Sequence, residues 1–461
     1  MSKLLVRIAL VVVAAVFHCG ASAPQSWSSP TAPAVEPMKP ISVQAETIGF
    51  SDSQLRASGN VEFRVGNRRM TADSVDYNLK TMSGHLSKAY FTTCSAIRPE
   101  YHIVARELEI FGNTRFKAHG AALYLGRHRI IALPLLVSRV GGRAASFVFP
   151  KPGFDKDDGA TLSHELAFID EQSVDMCADL RLTTKRGIQG EVWSNYGIDG
   201  TIEEMPGRFI SYDSMRSSVV TVPRTLESGS PDTGDIERPR PARFREYTRI
   251  AMNRRTYSVQ NPSLLVSRMP EIGLRYIAEH RNFTKTKLAP ILQIYPEITC
   301  SWGRFKQEPG PDDFVSRYDI GAVATANVIP LGANTAVQPV VSYSTASYGN
   351  GDSYRNWAYA LDASHLFPNG SIVTGRYIRR EQSGRSPFLF DVIDISNELQ
   401  GAFQLRFARH VIGFVAGYDV DKGEIYDWET VYGYRTDCVV FSLGWHDRVQ
   451  RLSFDINLIN L

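Results

Sequence analysis

The cysteines are the side chains whose chemistry this sequence makes easiest to state. Four of them lie beyond the N-terminal leader: Cys94, Cys177, Cys300 and Cys438. In an oxidising compartment they can form disulfides, and four cysteines allow three complete pairings. Alternation along the surrounding strands puts Cys177 and Cys438 on the polar face and Cys300 on the apolar face, so we expect Cys300 to stay reduced. The residues themselves leave open which cysteine pairs with Cys438.

The remaining reactive side chains form no catalytic pattern. The chain contains no G-x-S-x-G, H-E-x-x-H, C-x-x-C or phosphate-binding loop. Ser163, His164 and Glu165 are adjacent, but neighbours in a strand face opposite sides, so they make a poor triad. Three histidines are scattered without the spacing of metal ligands: His102, His119 and His128. The sequence therefore predicts no enzyme, no metal site and no cofactor.

The beginning of the chain predicts export. Residues 1–23 combine two basic residues, an apolar run from Ile8 to Phe17 and a small-residue end, which is typical of a secretory signal peptide. Residues 24–40 contain five prolines and predict an extended tether. Lys plus Arg is 51 and Asp plus Glu is 48, a balance that argues against nucleic acid as a partner. No later stretch is apolar for long enough to form a membrane helix, so the exported chain is either soluble or a β-barrel.

Residues 41–140 alternate over short strand lengths. Val61 and Phe63 flank Glu62, and Val75 and Tyr77 flank Asp76, with glycines between the runs. A domain of about 100 residues built this way predicts a small antiparallel sandwich or jelly roll.

Residues 141–461 repeat longer alternating segments. One is Trp357 to Ala363, and another is Leu452 to Leu458. An apolar face opposite a polar or small one is typical of a membrane barrel with a wet lumen. A large soluble sandwich also alternates, but it could not bury unpaired charges on many strands. At about 20 residues per strand and connection, this region closes an antiparallel transmembrane barrel of about 16 strands.

Several sequence segments resemble those of the LptD (OstA) family of outer-membrane lipopolysaccharide-assembly proteins. They are the run Ala89 to Cys94 followed by Pro99 and Tyr101, the run Ile131 to Leu135, the segment Phe149 to Gly153, and near the end Tyr418 to Gly423 and Asp437-Cys438. The resemblance implies an all-β fold, with an N-terminal periplasmic β-jelly roll before the barrel, in the outer membrane of a Gram-negative bacterium. It also implies a disulfide between Cys94 and Cys438, which would tie the two parts together.

The same resemblance implies a function and partners. The protein would receive lipopolysaccharide or a related glycolipid from a periplasmic jelly-roll bridge protein and insert it into the outer leaflet, with a lipoprotein plug as a further partner. The lipid groove would be lined by Val61, Phe63, Val75, Tyr77, Phe91, Ile103, Leu108 and Ile110, although the same residues could simply form a sandwich core. Because proline has no amide donor, we expect Pro150 and Pro152 to loosen a lateral gate between the first and last strands; alternatively, they end a linker before the first strand.

Two other functions fit the same barrel. A general porin would conduct small solutes and would lack the N-terminal domain. A lipid-modifying barrel enzyme would need a serine and a histidine at alternate positions on neighbouring strands, and the sequence shows no such pair.

Overall fold

The computed structural model describes residues 41–65, 68–111, 115–139, 150–170, 173–198, 244–256, 264–277, 294–311, 313–326, 329–331, 334–393 and 395–458. The predicted signal peptide and tether, and the predicted boundary between residues 140 and 141, lie outside these ranges. Within them, no helix is long and apolar enough to cross a membrane. The described chain forms two β-structures, an open sheet followed by a closed barrel.

The open sheet has eight antiparallel strands. They are β1 (Ile41–Gln44), β2 (Thr47–Ser51), β3 (Gln54–Val65), β4 (Arg68–Asn78), β5 (Ser83–Thr92), β6 (Tyr101–Phe111), β7 (Arg115–Leu125) and β8 (His128–Arg139). From β3 to β8 each strand pairs with the next along the chain, and β1 and β2 both pair with β3. Neighbours joined by short turns make a meander, so the jelly-roll part of the prediction is not confirmed.

Breaks in regular pairing allow this open sheet to bury one face. The register between β3 and β4 shifts at Gly59 and Asn60, which both have positive φ values, 77° and 47°. Lys88 in β5 and Gly120 in β7 also have positive φ, 47° and 57°. Bulges of this kind bend and twist a strand. The sheet therefore curls around its apolar face, and its core residues become almost inaccessible to water.

The barrel begins with β9 (Lys151–Asp155) and ends with β25 (Arg451–Leu458). Between them lie β10 (Gly159–Asp170), β11 (Val174–Thr183), β12 (Gly187–Gly197), β13 (Phe244–Arg255), β14 (Leu265–Ile277), β15 (Ile294–Glu308), β16 (Val315–Ala326), β17 (Ile329–Pro330), β18 (Thr335–Tyr348), β19 (Ser353–Leu366), β20 (Ile372–Gly384), β21 (Asn397–Phe407), β22 (His410–Asp419), β23 (Glu424–Arg435) and β24 (Val439–His446). The two-residue β17 only extends the edge of β18, while β16 pairs directly with β18. The other strands make a closed antiparallel barrel of 16, as the length of this region predicts.

Candidate functional site at the barrel seam

The two faces of the barrel wall differ in chemistry. Large apolar side chains are exposed on the outside, among them Leu180, Leu182, Trp357, Tyr359 and Leu361. An apolar exterior on a closed antiparallel barrel is the architecture of outer-membrane proteins, because closure leaves no unpaired strand edge in the lipid. The alternation read from the sequence is therefore confirmed for this part of the chain.

The described part of the inward face carries many charged side chains that form ion pairs. The ion pairs include Arg181 with Asp155 and Asp158, Arg268 with Glu191 and Glu271, Arg275 with Glu297, Arg376 with Asp362, and Arg380 with Glu398. Asp362 is 1% exposed, and its Oδ2 lies 2.7 Å from Nη2 of Arg376. Burial of ionised groups is tolerated when each finds a partner of opposite charge. The lumen is therefore polar and lined by partnered charges.

The barrel closes through a short ladder between β9 and β25, which we call the seam. Two residue pairs join these strands, Leu452 with Phe154 and Ser453 with Gly153. By contrast, β24 and β25 share eight pairs. Beyond Gly153, toward the start of β9, no ladder pair joins the described residues of the two strands.

Pro152 lies where the seam ladder stops. It pairs across β9 and β10 with Leu162, and it has no amide hydrogen to offer β25. Pro150 precedes β9 and lies outside any strand. Lys151 lies between the two prolines, and its Nζ is 3.4 Å from Oδ2 of Asp455. One predicted gate proline is thus part of the first strand, and the other precedes it.

The eight predicted groove residues lie together in one apolar cluster of the open sheet. Val61, Phe63, Val75, Tyr77, Phe91, Ile103, Leu108 and Ile110 are each 5% exposed or less. They are packed as a core, as the alternative interpretation anticipated. Their role in binding lipid stays a prediction.

That cluster also includes side chains of the last barrel strands. Val439 of β24 and Leu458 of β25 are buried in it, and Phe441 and Ile456 pack against it. Alternation puts these four side chains on the outer face of the barrel, in line with the exposed Leu443 and Phe454. The apolar core of the sheet is therefore continuous with the outer surface of the barrel beside the seam.

A disulfide joins the two structures at this place. Cys94 and Cys438 are bonded, with Cα atoms 5.4 Å apart and 344 residues apart in sequence. The pairing implied by the family resemblance is confirmed, and the alternative pairing of Cys438 with Cys177 is wrong. The expected place of Cys438 on the polar face is also wrong, because Cys438 precedes β24 and is buried in the apolar cluster. Cys300 is reduced and exposed on the outer face, as side-chain alternation predicted.

Glu100 makes a second, noncovalent connection at the disulfide. Its Oε2 accepts hydrogen bonds from Oγ1 of Thr436 at 2.6 Å and from the backbone N–H of Cys438 at 2.9 Å. On the sheet side, Arg69 donates to the carbonyl oxygens of Cys94, at 2.6 Å, and Ala96. We call Cys94, Glu100 and residues 436–438 the junction. Sequence reasoning missed Glu100, because no local pattern connects it with a turn more than 300 residues away. It also missed Arg69, whose carbonyl partners lie 25 and 27 residues later, beyond the next strand.

The junction is not a metal site in this form. Cys94, Glu100 and Cys438 are the one group of potential metal ligands close enough together within the described ranges. Their two sulfur atoms are bonded to each other, so they do not offer thiolates. Nearby, a hydrogen bond with Tyr434 and the charge of Asp437 raise the pKa of Arg409. The arrangement can hold the sheet against the barrel, and it provides an apolar surface beside a weak seam.

Comparison with known proteins identifies no family. No protein-family model matches the chain, and no curated protein matches it. Among solved structures, it is similar to OccK11 of Pseudomonas aeruginosa, with 9% identity and a TM-score of 0.29 over 88% of this chain and 93% of that one. It is also similar to an anion-selective porin from Comamonas acidovorans, with 10% identity and a TM-score of 0.25 over 87% of this chain and 92% of the porin. A KdgM porin matches 42% of this chain and 93% of its own length at 12% identity, with a TM-score of 0.23. Likenesses of this size carry no argument about cargo.

Proposed function

We propose that this protein is an outer-membrane barrel that passes an amphipathic glycolipid, such as lipopolysaccharide, from the periplasm into the outer leaflet, as members of the LptD family do. The observation that carries the proposal is the apolar cluster shared by the open sheet and the outer face of β24 and β25. Acyl chains must stay away from water throughout their transfer. The cluster is closed as packed, and because it continues onto the lipid-facing side of the barrel, its opening would give them such a route.

The seam supplies the other requirement of this proposal. A polar headgroup has to pass the apolar layer, and the charge-lined lumen is a suitable environment for it. Leaving the lumen sideways requires two strands to separate. The seam is the place where separation disrupts the fewest backbone pairs, and its unpaired part lies beside Ile456 and Leu458, next to the apolar cluster. Pro152 keeps β9 from extending the ladder there.

An exposed edge of the open sheet supports one partner of the proposed function. At the edge formed by β1 and β2, Ile48 is 51% exposed to solvent and Phe50 is 65% exposed. An exposed antiparallel edge can accept a strand from another protein. We propose this edge as the docking site for a periplasmic jelly-roll bridge protein. The open sheet then lies in the periplasm, attached to the barrel through Cys94 and Glu100 in the connection between β5 and β6.

A second candidate function is a channel for polar solutes. The closed barrel and its charge-lined lumen favour this function, and they require neither the apolar cluster nor the weak seam. A channel would conduct through the lumen with the seam held shut.

Stapling the seam distinguishes the two functions. Phe154 and Leu452 form a ladder pair, so cysteines at both positions can be joined by a short thiol crosslinker. The matched control joins Leu443 and Phe454, a ladder pair between strands that already share eight pairs. Both variants carry Cys300→Ala, which removes the exposed thiol. Each is made the cell's only copy of the protein, and newly surface-exposed glycolipid is measured before and after crosslinking.

The glycolipid proposal expects the seam staple to stop surface delivery and the control staple to leave it unchanged. If delivery continues through a fully stapled seam, the glycolipid route is wrong. Solute conductance that survives the seam staple, with glycolipid delivery unaffected, would assign the protein to the channel class.

A further inference from the structure

Among the described connections of the barrel, the one that follows β20 folds toward the lumen. Residues 385–393 follow β20, and we call them the inward segment. They leave the barrel at the mouth opposite the junction, because successive connections alternate between the two mouths and the junction turn lies between β23 and β24. The segment contains Phe388, which is completely buried, and Leu389 and Phe390, which pack in the same apolar cluster.

The inward segment is anchored by Asp391. Its carboxylate accepts two hydrogen bonds from Arg317 of β16, from Nε at 3.0 Å and from Nη2 at 2.8 Å. Tyr348 of β18 donates to the same carboxylate at 2.7 Å, and Ser386 donates to it at 3.3 Å. A bidentate arginine–carboxylate pair is among the stronger side-chain contacts in proteins. Arg317 and Asp391 are 13% and 8% exposed, so solvent screens the pair little.

Aromatic packing holds the rest of the segment to the barrel wall. The Phe388 ring stacks on the Phe390 ring with centroids 4.9 Å apart, and it lies 6.0 Å from the ring of Phe305 on β15. The backbone N–H of Leu389 donates to Oε1 of Gln307, also on β15, at 2.8 Å. The segment therefore leaves from β20 and reaches β15.

The inward segment narrows the barrel opening at this end, because it extends across part of the lumen from β20 to β15. Between β20 and β15 lie β19, β18 and β16, so the segment covers the wall over four strand intervals of sixteen. At about 4.8 Å between strands and a tilt of about 40°, a 16-stranded barrel is about 32 Å across between opposite backbones. Side chains lining both walls leave a gap of about 20 Å, and one further layer of chain removes about half of that along one direction.

We propose that the inward segment is the constriction of this barrel, which limits passage through the lumen to small polar solutes and to narrow polar groups. Asp391 is the residue that holds it in place through Arg317 and Tyr348. The role does not depend on which cargo the protein carries, because it concerns the width of the lumen and not the seam.

The test measures the conductance of purified full-length protein in planar bilayers, together with uptake of sugars of increasing size into liposomes. One variant replaces residues 386–393 by a Gly-Ser linker, and a second is Asp391→Asn. The matched control is Asp362→Asn, which also removes one negative charge from a buried bidentate pair with an arginine but lies outside the segment. Formation of the Cys94–Cys438 disulfide on non-reducing gels, and heat-modifiable mobility, verify that each barrel is folded.

We expect the linker variant to raise single-channel conductance about twofold and to admit larger sugars, in line with the widened gap. Asp391→Asn should give a fluctuating current that reaches the same upper level. Asp362→Asn alters a charge pair of the lumen wall and so shifts the conductance level, but it should keep a steady current and the size limit of the unmodified protein. A folded linker variant with unchanged conductance and unchanged size limit would overturn the proposal. So would an Asp362→Asn variant that reproduces the effect of Asp391→Asn. Either failure leaves the seam experiment unaffected, since that experiment measures glycolipid delivery.

Discussion

Glu100 and the disulfide should each attach the open sheet to the barrel independently of the other. The Cys94–Cys438 bond closes a loop with a sequence separation of 344 residues, and such a crosslink contributes about 2–5 kcal/mol in the chain-entropy model. The two hydrogen bonds to the Glu100 carboxylate are partly exposed, so we assign them about 2 kcal/mol together. That free energy corresponds to about a 30-fold shift in a docking equilibrium. With the disulfide intact, loss of Glu100 should therefore not release the sheet.

The assay measures the distance between the two structures by spin labelling. Exposed Lys80 on the sheet and Lys422 in a turn of the barrel are changed to cysteine and labelled, with Cys300 changed to Ala. Four forms are compared: the parent, Glu100→Ala, the Cys94→Ser/Cys438→Ser pair, and the combination of all three changes. The matched control is Glu109→Ala, since Glu109 pairs with His119 inside the sheet and does not contact the barrel.

The parent and each single loss should give one narrow distance distribution, because either fastening is assisted by the apolar cluster around Val439 and Leu458. The combined variant should give a broad distribution. If the distance distribution of the combined variant stays as narrow as that of the parent, the apolar cluster alone is sufficient to hold the sheet, and the contribution assigned to Glu100 is wrong. If the Cys94→Ser/Cys438→Ser variant alone already gives a broad distance distribution, the noncovalent contacts of Glu100 contribute less than about 2 kcal/mol.

Three further outcomes are expected. Phe63→Ala should destabilise the open sheet by about 3–5 kcal/mol in pulse proteolysis, because Phe63 is fully buried, whereas Phe50→Ala at the exposed edge should change it by less than about 0.5 kcal/mol. Burial lowers the pKa of His102 below its ordinary 6.5, so the unfolded chain binds the proton more tightly; the sheet should lose stability as the pH falls through 6.5 toward the lowered value, and His102→Phe should remove that part of the pH dependence. Tyr359→Arg, on the outer face and midway along β19, should lower the free energy of unfolding from a bilayer by about 2–4 kcal/mol; an unchanged free energy of unfolding would contradict a lipid-facing Tyr359.

The sequence alone was sufficient for features that depend on period and length. Alternation of apolar and polar residues placed Trp357 and Cys300 on the outer face, and the length of the C-terminal region predicted the number of strands. The same period predicted Val61 and Phe63 as buried partners. It could not distinguish a jelly roll from a meander, because both bury every second residue. The bulge at Gly59 that curls the sheet depends on pairing, which periodicity does not specify.

Contacts between distant parts of the chain could not be predicted from local pattern. The seam depends on the register between Phe154 and Leu452, and the junction depends on Glu100 reaching Thr436. The inward segment did leave a signal, since Phe388 to Phe390 is an apolar run in a connection where polar residues are usual. The sequence did not reveal the partner of Asp391, because Arg317 lies 74 residues earlier on another strand.

The unequal pairing on the two sides of β9 has a mechanical consequence. Strand β9 forms five residue pairs with β10 and only two with β25. When thermal motion or lateral pressure distorts a ring, the strain concentrates at its weakest link. The barrel wall should therefore open between β9 and β25, with β9 remaining paired with β10 and β25 remaining paired with β24.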